Sequence, residues 1–125
     1  PGTGIAPFVS YLRYLKHSEN ISKNNLWLFF GCRDPEKDFL FKDELSHVLK
    51  PLLTKFLISF SRFSFDQNDK SSEELIDLIE KHHIPVTDNK YVQDSIRFHS
   101  KEIVNLIHEQ NAYVYICGDA KNTSK

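Results

Sequence analysis

Two short apolar runs, Leu26-Trp27-Leu28-Phe29-Phe30 and Phe56-Leu57-Ile58-Ser59-Phe60, do most to limit the fold of this 125-residue chain. Each has the length of a strand and almost no polar interruption, the pattern of a strand covered on both faces. Helical spacing surrounds them. Ile5, Phe8, Val9, Leu12 and Leu15 recur as one stripe, with Pro7 suited to the first turn. That predicts a helix ending near His17, a polar loop from Ser18 to Asn25, and a strand that Gly31 ends. Asp38 to Lys50 reads as a second helix with Phe41, Leu45, Val48 and Leu49 inward, stopped by Pro51. Ser71 and Glu74 have capping-box spacing ahead of Leu75, Ile76, Leu78 and Ile79, so a third helix is expected before Pro85. Tyr91 to Phe98 and Ser100 to Gln110 are helical in pattern, the latter with Ile103, Val104 and Ile107 inward, and Tyr113 to Ile116 reads as a final strand. Strands and helices in alternation, with apolar strands, predict an α/β fold: a doubly wound parallel sheet with helices on both faces. In such a sheet the ligand lies beyond the C-terminal ends of the strands.

Composition narrows the function by exclusion. A formal net charge of -1 offers no basic excess for nucleic acid. No apolar run approaches the roughly 18 residues that span a bilayer. Cys32 and Cys117 stand far apart and form neither a disulfide framework nor a zinc pair, which fits reduced thiols and a cytoplasmic setting. On that setting the sequons at Asn20 and Asn122 carry no meaning. His82 and His83 are adjacent on a helical pattern and point apart, with no Cys or carboxylate at ligand spacing, so no metal site is expected.

The chemically distinctive residues collect at the expected ligand edge. Gly2-Thr3-Gly4 precedes the first helix, Gly31-Cys32-Arg33 follows one strand, Ser61-Arg62 follows the next, and Cys117-Gly118-Asp119 follows the last. The glycine loop can bring bare backbone N–H groups against phosphate oxygens at a helix N-terminus, and Thr3 can add a hydroxyl. Its ordinary alternative is a plain glycine turn. Arg62 beside Ser61 can take a ribose 2′-phosphate through two parallel hydrogen bonds, whereas NAD-selective folds put a carboxylate near that ribose. Lys90, Tyr91 and Gln93 offer a cation, an aromatic face for adenine and an amide. Cys117 stands where a nicotinamide would meet a redox partner, with Asp119 able to cap a helix or polarise the site. Cys32 and Cys117 can equally be small buried apolar residues.

Five ordered segments carry a resemblance: Pro1-Gly2-Thr3-Gly4-Ile5-Ala6-Pro7-Phe8, Phe30-Gly31-Cys32-Arg33, Phe60-Ser61-Arg62, Tyr91-Val92-Gln93, and Tyr115-Ile116-Cys117-Gly118-Asp119-Ala120-Lys121-Asn122. Over nearly its whole length the chain resembles the NADPH-binding module of the diflavin reductases, a ferredoxin-NADP reductase-type domain. Trp27 to Arg33, Lys90 to Asp94 and Gly118 to Asn122 look most like the methionine synthase reductase branch. The resemblance implies that Gly2, Thr3 and Gly4 hold the pyrophosphate. It implies that Cys32 and Arg33 line the cofactor groove, and that Ser61, Arg62, Lys90, Tyr91 and Gln93 form the 2′-phosphate and adenosine pocket. Cys117, Gly118 and Asp119 then stand at the nicotinamide. NADPH is the implied cofactor here, with FAD and FMN bound mainly elsewhere in a longer protein. The implied reaction carries a hydride from NADPH to FAD, then electrons through FMN to a protein acceptor, with methionine synthase expected.

The chain departs from the family pattern in two ways. Residues 63–89 exceed the usual connection between the arginine motif and the Tyr-Val-Gln motif and read as an insertion, which leaves the placement of Lys90 open. The strand before the glycine loop and the flavin-binding segments are not in this sequence, so 1–125 reads as part of an NADPH-binding domain, expected to be inactive alone. Three other assignments stay open: a cytochrome P450 reductase-like enzyme, a single-flavin ferredoxin-NADP reductase-type enzyme, and a non-catalytic nucleotide-sensing or docking domain on the same scaffold.

Overall fold

The computed structural model describes residues 2–18, 25–63, 80, 87 and 90–118. Gly2–Ile5 forms a 3-10 turn that runs directly into α1 (Ala6–Lys16). Pro7 sits in the first turn, where its missing N–H forfeits no helical bond. Val9, Leu12 and Leu15 make the buried stripe, while Arg13 and Lys16 occupy the last turn, where the helix dipole favours cations. Then follow β1 (Trp27–Cys32), the helical segment α2 (Glu44–Leu49), β2 (Lys55–Phe60), α3 (Val92–Phe98) and α4 (Ser100–Gln110).

β1 and β2 pair in parallel, in register from Trp27 opposite Lys55 to Cys32 opposite Phe60. Alternation then divides the two strands between two faces. Leu28, Phe30 and Cys32 join Phe56, Ile58 and Phe60 on one side, where they meet Ile5, Val9 and Leu12 together with Phe39, Leu45 and Leu49. This is the core, and Val9, Leu45, Leu49 and Ile58 are fully buried in it. The opposite face carries Trp27, Phe29 and Gly31 beside Lys55, Leu57 and Ser59. There α3 and His99 pack: Trp27 and Phe29 flank the His99 ring with centroids 6.3 and 6.1 Å away. Helices thus cover both faces of a parallel sheet, as the apolar runs predict.

At the N-terminal end of the strands a polar clamp closes the second face. Lys55 Nζ lies 4.2 Å from the Trp27 ring centre and donates to Glu102 Oε2 at 3.0 Å, while His99 Nδ1 lies 3.0 Å from Glu102 Oε1. The Glu102 carboxyl is held below the usual carboxylate range first by the His99 hydrogen bond and then by that of Lys55.

Several expected elements take another form. β1 runs on through Gly31 to Cys32. The helix expected from Asp38 starts later, because Asp34 captures the chain first. Asp34 Oδ1 accepts the N–H groups of Glu36 and Lys37 at 2.9 and 3.1 Å, and Asp34 O accepts that of Asp38 at 3.0 Å. Phe41 then takes a left-handed φ of 58°, rare for a bulky residue, and α2 winds with π hydrogen bonding. Leu45 and Leu49 keep their inward places, but Phe41 and Val48 are exposed. The Arg13 guanidinium lies 5.5 Å from the Phe41 ring centre and binds Glu44 through two hydrogen bonds of 2.6 Å, which ties this turn to α1. No residue of α4 is buried, so Ile103, Val104 and Ile107 do not reach a core. Tyr113 to Ile116 forms no strand: the sheet among the described residues consists of β1 and β2, and without a neighbour there is no ladder. Its four side chains are 61–86% exposed. The helix expected before Pro85 lies outside the described residues.

Two consequences can be measured. A Cβ added at Gly31 would stand 2.5 Å from Val92 Cγ2, so glycine lets the start of α3 rest on β1. Gly31→Ala should lose about 1–3 kcal/mol in urea unfolding, and Val92→Ala in the same chain should recover part of it. Burial, reinforced by Asp38 and Asp34, pushes the Cys32 thiol from 9.0 up to about 12. The unfolded chain therefore releases this proton first. Its contribution to stability is intact below pH 9.0 and falls as pH climbs toward about 12. Maleimide labelling at pH 8 read by mass spectrometry should modify the exposed Cys117 and leave the buried Cys32 untouched until the protein unfolds.

Candidate functional site

The parallel pairing carries on past the strands. Ser61 N–H donates to Cys32 O and Arg62 N–H to Arg33 O, each at 3.0 Å. Two arginines therefore leave the sheet on adjacent chains at its C-terminal edge. The Arg33 guanidinium is held by Asp38 at 3.2 Å and remains more than half exposed. Arg62 is exposed and has no ion-pair or hydrogen-bond partner for its side chain among the described residues.

Beside them lies the start of α3. Val92 rests on Gly31, and Ser95 is buried against Ser59 through hydroxyls 3.2 Å apart. These contacts bring Lys90, Tyr91 and Gln93, all exposed, to the end of β2. The Lys90 ammonium lies 5.9 Å from the centre of the Tyr91 ring, which is 51% exposed. An open aromatic face thus stands with a cation close by, and Arg62, without a side-chain partner among the described residues, follows the end of β2.

On the other flank the 3-10 turn Gly2–Ile5 packs on β1 and leads into α1, which has no side-chain cap at its N-terminus. Here the first and last motifs meet: a Cβ on Gly4 would stand 3.1 Å from Cys117 O and 3.6 Å from Gly118 Cα. Only a residue without a side chain permits that approach undisturbed.

The structure thus sets Arg33, Ser61 and Arg62 just past the C-terminal ends of β1 and β2, Gly4 against Cys117 and Gly118, and Lys90, Tyr91 and Gln93 at the N-terminal end of α3, whose Val92 rests on Gly31. Cys32 reaches this edge with its carbonyl only, because its side chain is in the core, with Sγ 3.9 Å from Asp34 O. The Thr3 side chain and Asp119 lie outside what is described. A cleft of about 470 Å³ opens elsewhere, lined by Ser46, Lys50, Pro51, Leu53, Thr54, Lys55 and Phe56, and contains none of the motif residues. No group of three His, Cys, Asp or Glu among the described residues is arranged to hold a metal ion.

Sequence reasoning missed Ser59, Thr87, Val92 and Ser95, which hold α3 in place. One signal was available: Ser59 is a hydroxyl inside an otherwise apolar strand, and a polar group there needs a partner.

The residues suit a phosphorylated dinucleotide in their chemistry. A close-packed glycine turn at a helix N-terminus suits a pyrophosphate, and the arginine, lysine and tyrosine suit a phosphorylated adenosine. Comparison with known proteins agrees. Residues 1–123 match the model of the oxidoreductase NAD-binding domain. Over its whole length the chain is 40% identical to methionine synthase reductase of Rattus norvegicus and 37% identical to that of Homo sapiens, covering 16% of each. It is 31% identical to NADPH–cytochrome P450 reductase of Dictyostelium discoideum, covering 15% of it. The chain spans about a sixth of the length of these relatives. With a parallel sheet covered on both faces and its motif residues at the strand ends, the chain belongs to the oxidoreductase NAD-binding domain family, in the α/β form of the ferredoxin-NADP reductases.

Proposed function

We propose that this chain is the NADPH-docking part of a diflavin oxidoreductase. The observation that carries this reading is Arg62, exposed beside Ser61 just past β2 with no side-chain partner among the described residues, together with the Lys90 ammonium and the exposed Tyr91 ring ahead of α3. A guanidinium binds a phosphate through two parallel hydrogen bonds, and the flexible ammonium of Lys90 adds a second charge. Tyr91 offers its exposed face to adenine, and Gln93 an amide to the same nucleoside. Gly2, Thr3 and Gly4 receive the pyrophosphate on the backbone N–H groups at the start of α1. Arg33 lines the groove between these two ends, and Cys32 contributes the carbonyl that holds Ser61. Cys117, Gly118 and Asp119 stand at the nicotinamide, where Cys117 and Asp119 shape the approach to the flavin.

NADPH bound in this way supplies a hydride to FAD, from which electrons pass through FMN to a protein acceptor. The work of this chain is to orient the dinucleotide by its two ends and to choose the phosphorylated form. Both flavins belong to the full-length protein and are bound mainly outside residues 1–125, which form part of the NADPH-binding domain, with 63–89 as an insertion. The acceptor we propose is methionine synthase, whose cobalamin would be reactivated by reduction. Identity of 37–40% to methionine synthase reductases, against 30–34% to NADPH–cytochrome P450 reductases, supports that choice over the latter. We propose a cytoplasmic site of action on the two free thiols.

Titration with 2′,5′-ADP and 5′-AMP tests the reading. The full-length protein should prefer 2′,5′-ADP, and Arg62→Ala should weaken that ligand by about ten- to hundredfold, the loss of a charge-assisted hydrogen-bonded pair. Equal affinity for the two nucleotides, or an unchanged preference in Arg62→Ala, would contradict it.

A further inference from the structure

Behind the cationic edge three hydroxyls meet in a triangle. Ser59 Oγ lies 3.2 Å from Thr87 Oγ1 and 3.2 Å from Ser95 Oγ, and Thr87 Oγ1 lies 3.1 Å from Ser95 Oγ. Ser59 and Ser95 are 2% and 1% exposed. A hydroxyl donates once and accepts twice, so a ring of three can give every member a donor and an acceptor without water. Thr87 is tied in again by its backbone, since its N–H donates to Ile58 O at 3.0 Å.

The three members come from two stretches of chain, and each stands a few positions from a residue of the proposed pocket. Ser59 is on β2, just before Ser61 and Arg62. Ser95 is on the first turn of α3, just after Tyr91 and Gln93, and its N–H reaches back to Tyr91 O at 3.4 Å. Thr87 closes the 63–89 stretch, just before Lys90. The triangle therefore ties the end of β2, which leads to Arg62, to both ends of the stretch that carries Lys90, Tyr91 and Gln93. A connection added only at the surface has no reason to put a side chain into this buried ring.

We propose that the Ser59–Thr87–Ser95 hydroxyl triangle is a positioning device for 2′-phosphate selectivity: it sets the Lys90 ammonium relative to the Arg62 guanidinium, and so makes the end of the 63–89 stretch part of the pocket. The proposal rests on the reading of this edge as an NADP(H) site. Thr87, Ser59 and Ser95 act through their neighbours and need not touch the nucleotide. Two cations share one phosphate only when both are held at the right separation, so a small shift at Lys90 weakens the phosphorylated ligand more than the unphosphorylated one.

Thr87→Val keeps the shape and removes the hydroxyl, taking one hydrogen bond each from Ser59 and Ser95. In the full-length protein it should weaken 2′,5′-ADP by about three- to tenfold while 5′-AMP changes by about twofold or less. Thr87→Ser should restore the wild-type ratio. If Thr87→Val does not fold, Ser59→Ala carries the same expectation. A variant that melts earlier but keeps the wild-type ratio of the two affinities overturns the proposal, because the triangle is then only structural, and the NADP(H) reading stands. A wild-type protein that does not distinguish the two ligands removes that reading and the proposal with it.

Discussion

The parallel pairing of β1 with β2 is the constraint on which the rest depends. Its register puts Gly31 opposite Ser59 and Cys32 opposite Phe60, and the alternation of the two strands then decides which side chains face α1 and which face α3. One face could be made wholly apolar and is now the core. The other had to receive a helix that Lys90 and Tyr91 precede and whose first turn carries Gln93, so it holds a glycine and a buried serine where a larger apolar pair would lift that helix away. Slipping the register by one residue would turn Ser59 into the core and Ile58 toward α3, and the arginine edge would lose its support.

Polar groups are treated differently at the two ends of this face. At the N-terminal end Lys55 is neutralised by Glu102 and lies against Trp27, with His99 completing the contact. At the C-terminal end Arg62 has no carboxylate partner among the described residues. An exposed cation without a partner contributes little to folding and is free to attract an anion. Among the described residues, then, Lys55 at one end and Arg33 at the other each have a carboxylate partner, and Arg62 does not.

Much of this was legible in the sequence. The apolar runs marked β1 and β2, the spacing of Val9, Leu12 and Leu15 marked α1, and the rule that ligands gather at strand ends marked the edge where Gly4, Arg62, Tyr91 and Cys117 stand. What could not be read was competition between local and distant partners. Asp34 gathers the N–H groups of Glu36, Lys37 and Asp38 into a turn of its own, and Phe41 accepts a left-handed backbone that its bulk argues against. Tyr113 to Ile116 has the composition of a strand, yet a strand is a relation between two stretches of chain, and composition reports only one of them. Cys32 fell to its unremarkable alternative, a buried thiol, because its place on the core face follows from strand register and not from the motif around it.

The central claim is that the C-terminal edge of β1 and β2 holds the phosphorylated adenosine end of the dinucleotide. A crystal structure of the full-length protein with NADP⁺ bound tests it most directly. The account predicts the 2′-phosphate within hydrogen-bonding distance of the Arg62 guanidinium, the adenine against the Tyr91 ring, and the pyrophosphate over Gly2 to Gly4. A nucleotide seated at the Lys55 end of the strands, or one bound at this edge with its 2′-phosphate turned away from Arg62 into solvent, would contradict it.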